Sequence, residues 1–135
     1  MKTRLLICII FYCQFSFAQN TIIRVYKTSS IDSLIKKQKT FKFILLDSNN
    51  IKQFSGYYKE RKKRGKWIFY QNNDLVIKEI NFINNDISQE VLYDVYGKME
   101  WKGLLYRGKR DGVWKKFTGR YKTYIYNKGI LLSVR

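Results

Sequence analysis

The feature that most constrains this chain is a 26-residue stretch that occurs twice. Residues 45–70 align without a gap to residues 92–117, each residue matching the one 47 positions later. The shared positions pair Asp47 with Asp94, Phe54 with Trp101, Gly56 with Gly103, Gly65 with Gly112, Trp67 with Trp114 and Tyr70 with Phe117. A match of this length is typical of an internal duplication, so the sequence predicts a repeat protein.

From residue 41 onward, short runs rich in β-branched and aromatic residues are separated by Asn, Asp and Gly, which is typical of an antiparallel β-meander. We predict an all-β domain over 41–135, with copies 41–87 and 88–134. The predicted strands are 41–47, 51–59, 66–71, 75–83, 87–95, 98–107, 112–117, 120–126 and 130–134. Residues 61–65 are predicted to form a turn. Asn50 stands where Gly97 stands, and both residue types tolerate the left-handed backbone that a turn requires.

The N-terminal part of the chain has a different pattern. Residues 1–18 are predicted to be a signal peptide, with Lys2 and Arg4 before an apolar run and a small-x-small cleavage site that ends at Ala18. The protein is therefore expected to be exported, to the periplasm or outside the cell. Residues 19–40 form an extension with a helix over 30–38, capped by Ser29 or Ser30, which packs across the end of the sheet. Whether 21–27 join the sheet stays open.

The charge of the expected mature chain is strongly positive. Removing Lys2 and Arg4 from the 27 basic residues leaves 25 against 10 acidic ones, a net charge of +15. Solubility of a small domain requires a net charge of only about 2 to 8. An anionic partner would explain the excess. A basic exterior medium is the alternative.

Side chains for catalysis are scarce. The sequence has no histidine, and both cysteines lie in the predicted leader, so Ser/His and Cys/His nucleophilic sites and the usual zinc sites are excluded. The remaining acid-base candidates are the carboxylate pair Glu90 and Glu100, and the repeat equivalents Asp47 and Asp94, which we expect to cap their own turns. We therefore predict a protein without catalytic activity, cofactor or metal.

Basic side chains recur at one place in both copies. Residues 61–64 and 108–111 occupy the same loop, so we expect Lys62 with Lys109, and Lys63 with Arg110, to project from one edge of the sheet. The candidate anion-binding residues are Lys62, Lys63, Arg64, Lys66, Arg107, Lys109, Arg110, Lys115 and Lys116. The alternative is that lysines on exposed edges only prevent strand pairing between molecules.

The glycines and aromatic residues of the repeat resemble those of the MORN-repeat variant family. The resemblance covers about 41–132 and is carried in the first copy by Gly56, Gly65, Trp67 and Tyr70, and in the second by Gly97, Trp101, Gly103, Gly112, Trp114 and Phe117. It implies stacked antiparallel β-hairpins that form an elongated, twisted sheet. The first copy departs from the pattern at Asn50 and Arg61. Function transfers poorly within this family, whose members include scaffolds, lipid-head-group binders and antitoxin-like or immunity-like proteins.

Two functions remain open at this stage. The first is a secreted binding module that engages an acidic protein, lipid head groups of a membrane surface or an envelope polysaccharide through the basic loops. The second is a structural or immunity-like protein that docks one cognate protein through a face lined by Tyr57, Tyr58 and Tyr106. Nucleic acid is not favoured, because an exported protein seldom meets it. The oligomeric state is not indicated.

Overall fold

A computed structural model describes residues 21–72 and 74–135; the predicted leader lies outside these residues. The described chain forms one open sheet and one short helix, which confirms the predicted all-β fold class. The elements are β1 Ile22–Val25, α1 Thr28–Lys37, β2 Phe41–Leu46, β3 Lys52–Lys59, β4 Lys62–Lys63, β5 Gly65–Gln71, β6 Leu75–Phe82, β7 Ile87–Tyr93, β8 Met99–Tyr106, β9 Lys109–Lys116, β10 Lys122–Asn127 and β11 Ile130–Val134.

The strands follow one another across the sheet in chain order, except that β4 pairs only with β3. Every pair from β2 to β11 is antiparallel, as a meander requires. The pair β1 and β2 is parallel, and it involves the segment whose place in the sheet the sequence left open. Parallel neighbours need a crossover connection, and α1 supplies it. Residues 22–25 of the uncertain N-terminal segment therefore belong to the sheet.

The turns that begin each repeat have the same hydrogen bonds in both copies. The Oδ1 atom of Asp47 accepts the backbone N–H groups of Asn49 and Ile51 at 2.8 and 2.9 Å. Asp94 accepts the equivalent pair, from Tyr96 and Lys98, both at 2.9 Å. The predicted capping role of the two aspartates is confirmed. Asn50 has a φ of 60° where Gly97 has 76°, so the substitution preserves the turn.

The predicted turn over 61–65 is wrong. The chain reverses within two residues, Glu60 and Arg61 in the first copy and Arg107 and Gly108 in the second, and all four have positive φ between 50° and 78°. Two consecutive residues of this kind make the tight hairpin turn that matches the twist of the flanking strands. The basic residues that follow therefore lie in strands, and β9 begins at Lys109 rather than at residue 112.

The helix begins two residues earlier than predicted. Lys27 occupies the N-cap position, and its side chain makes no capping hydrogen bond. Ser29 and Ser30 lie inside the first turn and do not cap the helix. Ile31 is buried beneath the helix, with Leu34 and Ile35 partly buried beside it. We call the side of the sheet that α1 covers the helix face, and the other side the opposite face. No helix in the described part of the chain is long and apolar enough to cross a membrane.

The main core lies between α1 and the first five strands. Its buried members are Val25, Ile31, Phe41, Phe43, Leu45, Tyr58 and Trp67. Alternation along the strands sends these side chains to one face, and residues between them, such as Lys42, are exposed. The helix therefore covers only the first copy. The equivalent face of the second copy has no helix over it within the described residues.

Each repeat tryptophan lies flat against a glycine of the neighbouring strand. A Cβ atom built on Gly56 would come within 2.6 Å of the Trp67 ring, and one on Gly103 within 2.3 Å of the Trp114 ring. The indole N–H of Trp67 donates to the Tyr57 carbonyl at 3.3 Å, and that of Trp114 to the Leu104 carbonyl at 2.8 Å. These two glycines are needed because the tryptophan ring approaches the backbone closely, so their role in the repeat is structural.

Candidate anion-binding site

Charge is distributed unequally between the two ends of the sheet. One end carries the hairpin turns; we call it the loop end and define it as residues 60–64, 83–86, 107–111 and 128–129. It contains eight basic and three acidic residues. The described turn residues at the other end, 47–51, 72, 74, 94–98 and 117–121, contain two basic and three acidic ones. The positive charge of the strand connections is therefore concentrated at the loop end.

The nine predicted residues are divided between several environments. The structure places Lys63, Arg110 and Lys116 on the helix face, and Lys62, Lys66, Lys109 and Lys115 on the opposite face, with Arg107 in the turn and Arg64 at an irregular position between β4 and β5. Consecutive strand residues point to opposite faces, so a continuous basic run cannot project together. All four residues of the expected pairs lie at the loop end, but Lys62 and Lys109 share one face and Lys63 and Arg110 the other.

Two of the nine cations are paired with acidic groups. The Lys66 ammonium lies 3.1 Å from the Glu79 carboxylate. The Arg107 Nε–H donates to Asp86 Oδ1 at 2.8 Å, and this hydrogen bond raises the pKa of Arg107. Both pairs reach solvent and contribute little stability. These two cations are less available to an external anion than the other seven.

The helix face holds one cation on the tryptophan of each copy. The Lys63 ammonium lies 4.7 Å from the centre of the Trp67 ring. The equivalent Arg110 guanidinium lies 4.2 Å from the Trp114 ring and 4.8 Å from the Trp101 ring. A cation over an aromatic face is attracted by the ring quadrupole, which holds the side chain in place. The duplication therefore presents two oriented cations, four strand spacings or about 19 Å apart.

The first copy adds a cavity beside its cation. It measures about 260 Å³ and is lined by Lys62, Lys63, Arg64, Phe82, Asn84 and Asn85. Arg64 is fixed there, because its guanidinium donates to Asn85 Oδ1 at 2.8 Å and to the Lys63 carbonyl at 2.8 Å. Three cations and two amides around one apolar ring form a surface that an anionic group could occupy.

The second copy carries polar and aromatic side chains where the first copy has its core. Glu90 replaces Phe43, and Lys116 replaces Phe69, at positions 47 residues apart. By strand pairing, Tyr124 and Tyr126 take the places of Ile80 and Phe82, which the sequence alignment did not reveal. We call this surface the polar aromatic face; its members are Glu90, Trp101, Arg110, Lys116, Tyr124 and Tyr126.

Glu90 is the unusual member of the polar aromatic face. It lies in β7 opposite Gly103, and burial raises the pKa of its carboxyl, an effect that the charges of Lys78 and Arg110 partly offset. Among the described residues, no group donates a hydrogen bond to the Glu90 carboxylate, and no cation forms an ion pair with it. A half-buried carboxylate of this kind costs stability.

Two groups of sequence candidates do not come together. Strand pairing sets Glu90 opposite Gly103, three residues along β8 from Glu100, so the two glutamates do not form a facing pair. Tyr58 is buried in the core under α1, whereas Tyr57 and Tyr106 lie on the opposite face. The predicted docking face of three tyrosines therefore does not exist. The signal missed in the sequence was the change of residue type between copies, Phe43 to Glu90 above all.

Comparison of this chain with protein-family models, with curated proteins and with solved structures gives no match.

Proposed function

We propose that this protein is a non-catalytic binding module, exported from the cell, whose loop end engages an extended anionic partner. The observation that carries the proposal is the excess of eight basic over three acidic residues at the loop end. Such an excess attracts anions and accelerates their encounter with the surface. The partner classes that fit are an acidic protein, lipid head groups and an acidic envelope polymer.

The spacing of the two oriented cations favours a long partner over a small one. Lys63 and Arg110 are about 19 Å apart, more than twice the Debye length of about 8 Å at physiological salt. A compact anion at one of them would hardly sense the other. A polymer or a charged surface would contact both, and linked contacts raise the effective concentration at the second site.

Membership of the MORN-repeat variant family is part of the same proposal. Its support is that the repeat glycines and tryptophans have equal roles in the two copies: Gly56 and Gly103 receive a tryptophan ring, and Gly65 and Gly112 have φ of 60° and 66°. The family resemblance is compatible with lipid head groups as the partner, and with an immunity-like role.

A second candidate is docking of one cognate protein on the opposite face. Its support is exposed apolar surface there in the second copy, where Leu104 is 42% and Val113 51% exposed. An interface centred on such residues would depend little on ionic strength.

Charge reversal tests the proposal. We expect Lys62→Glu with Lys109→Glu to weaken binding to heparin and to anionic lipid vesicles by about tenfold or more, because two attractive contacts at the loop end become repulsive. Both lysines are exposed, so folding should be unaffected. The matched control is Lys42→Glu with Lys98→Glu, an equal change of charge at exposed positions outside the loop end. Equal losses in the two double variants would mean that net charge alone binds the polymer, and no loss in either would reject the proposal.

A further inference from the structure

We infer that the polar aromatic face of the second copy is a binding site for an acidic polysaccharide, with sugar rings stacked on its aromatic side chains. The inference rests on the proposed function, because it specifies which anionic polymer this protein selects. The site runs from Arg110 at the loop end, past Glu90, to Trp101, Tyr124 and Lys116.

The helix face of the second copy differs in polarity from that of the first. The aromatic character of the face persists, but Phe43 is replaced by Glu90 and Phe82 by Tyr126. A surface prepared for another apolar helix would carry apolar residues here, as the first copy does under α1. Rings with polar edges beside charged groups are suited to a ligand that has both apolar and polar surfaces.

Two neighbouring rings of the polar aromatic face, Trp101 and Tyr124, could stack with a sugar ring. Trp101 and Tyr124 lie side by side, with ring centres 4.9 Å apart, and both are partly exposed. The face of an aromatic ring is electron-rich, so it attracts the weakly positive C–H groups on one side of a sugar ring. Neither the Trp101 indole N–H nor the Tyr124 hydroxyl has a hydrogen-bond partner among the described residues, and both could bond to sugar hydroxyls.

Two cations, Arg110 and Lys116, lie close to the Trp101 ring. The Arg110 guanidinium is held against Trp114 and donates to the Tyr126 hydroxyl at 3.2 Å. A guanidinium has five N–H donors, so others remain for a ligand. The Lys116 ammonium lies 5.3 Å from the Trp101 ring. Two cations that both lie within 5.3 Å of the centre of one ring, with Arg110 at 4.8 Å, are suited to a carboxylate on a sugar bound at that ring.

The Glu90 carboxylate favours a polysaccharide over other polyanions as the ligand. A carboxylate at the centre of a purely phosphate-binding or carboxylate-binding surface would repel its ligand. Sugar hydroxyls are hydrogen-bond donors, and Glu90 is an acceptor that has no donor among the described residues. A ligand that carries hydroxyls and carboxylates on the same rings uses both Glu90 and Arg110.

The test compares three polymers on the purified protein: polygalacturonate, which has rings, hydroxyls and carboxylates; polyglutamate, which has carboxylates without sugar rings; and dextran, which has uncharged rings. We expect binding in that order. Trp101→Leu should weaken binding of polygalacturonate by about tenfold, the scale of one lost stacked ring, and leave binding of polyglutamate unchanged. Phe54→Leu, which also removes an aromatic ring at the equivalent position in the core of the first copy, is the control.

Glu90→Gln gives the sharper result, because the two acidic polymers should respond in opposite directions. The substitution keeps the shape of the side chain, removes a negative charge and replaces one of its two acceptor oxygens by an NH2 donor. Polyglutamate should therefore bind more tightly, whereas polygalacturonate should lose a charge-assisted hydrogen bond from its hydroxyls and bind less tightly. If both polymers bind more tightly, the inference is overturned and the proposed function stands. If neither acidic polymer binds, the inference is overturned, and binding to heparin and anionic vesicles decides the proposed function separately. Dextran binding that depends on Trp101 would then show a site for neutral sugars instead.

Discussion

The two copies of the repeat place a tryptophan on a glycine in the same way and cover it differently. In the first copy Trp67 has aromatic neighbours, with Phe43 and Tyr58 each 5.4 Å away between ring centres, beneath the buried Ile31 of α1. In the second copy the Arg110 guanidinium lies over Trp114, and Glu90 stands where Phe43 would be. One copy supplies an apolar core that holds the fold. The other has charged and polar side chains on its equivalent face and, within the described residues, no helix over it.

The largest effect should come from adding a methyl group beneath each tryptophan. Gly56→Ala and Gly103→Ala both force the ring away from the sheet, because the new Cβ would meet it at 2.6 and 2.3 Å. We expect Gly56→Ala to cost about 3 kcal/mol of unfolding free energy and Gly103→Ala about 1 to 2 kcal/mol, since flexible charged side chains yield more easily than packed rings and a helix. Urea unfolding measures both. A larger loss of unfolding free energy for Gly103→Ala than for Gly56→Ala would contradict the claim that Trp114 is less tightly covered than Trp67.

The next effect concerns the cations on the two rings. Arg110→Ala should cost about 1 to 2 kcal/mol and shift Trp fluorescence to longer wavelength, because the Trp114 ring loses its cover. Lys63→Ala should cost less than about 1 kcal/mol, since Trp67 stays packed against other rings. Arg110→Met, which keeps the apolar stem without the charge, should lose only part of this energy. Equal losses of unfolding free energy for Arg110→Ala and Lys63→Ala in urea would show that the two cations cover their tryptophan rings to the same extent, contrary to the account.

A smaller effect is expected in the hairpin turns, where the copies differ in one residue. Arg61 has a φ of 62° at the position of Gly108, which has 78°. Arg61→Gly should stabilise the protein by up to about 0.5 kcal/mol, since relief of left-handed strain exceeds the added entropy of the unfolded chain. Gly108→Ala should cost about 1 kcal/mol through the backbone alone, because its Cβ would meet nothing within 4 Å. Thermal unfolding of the two variants with opposite signs would support equivalent turns; destabilisation by Arg61→Gly would not.

The smallest effect depends on pH and involves Glu90. Its raised pKa means that the folded protein holds this proton to a higher pH than the unfolded chain, so stability falls as pH rises from the ordinary value of 4.5 through the folded value. Glu90→Gln should therefore raise the unfolding midpoint by about 1 to 2 °C at pH 7, a modest gain because the carboxyl is partly solvated. The gain should vanish below about pH 4. A gain of equal size in acid would show that charge burial is not its cause.

Local rules in the sequence predicted the repeating framework well. Asp47 and Asp94 cap turns because their side chains reach backbone N–H groups two and four residues on, a property that needs no knowledge of distant contacts. Strand limits were close for the same reason. The hairpin turns were placed too late, because Glu60 and Arg61 are not the residue types that usually adopt positive φ.

Long-range features were less predictable. The parallel pairing of β1 depends on the crossover through α1, and the local sequence of residues 22–25 does not specify its neighbour. The polar aromatic face joins four strands from β7 to β10, and Tyr124 reaches it through pairing with Trp114 rather than through the 47-residue spacing. Its members could be recognised only after the register was known. The basic run was found from sequence, but its division between two faces followed from the early turn.

The most direct test of the central proposal is the salt dependence of retention of the unmodified protein on heparin and on anionic lipid vesicles, with neutral matrices as controls. If the loop end binds extended anions through about four contacts, affinity should fall roughly a hundredfold between about 50 and 200 mM salt through counterion release. Retention that is absent, or that is the same across this range, would contradict an anionic partner. It would direct attention to a single cognate protein on the opposite face.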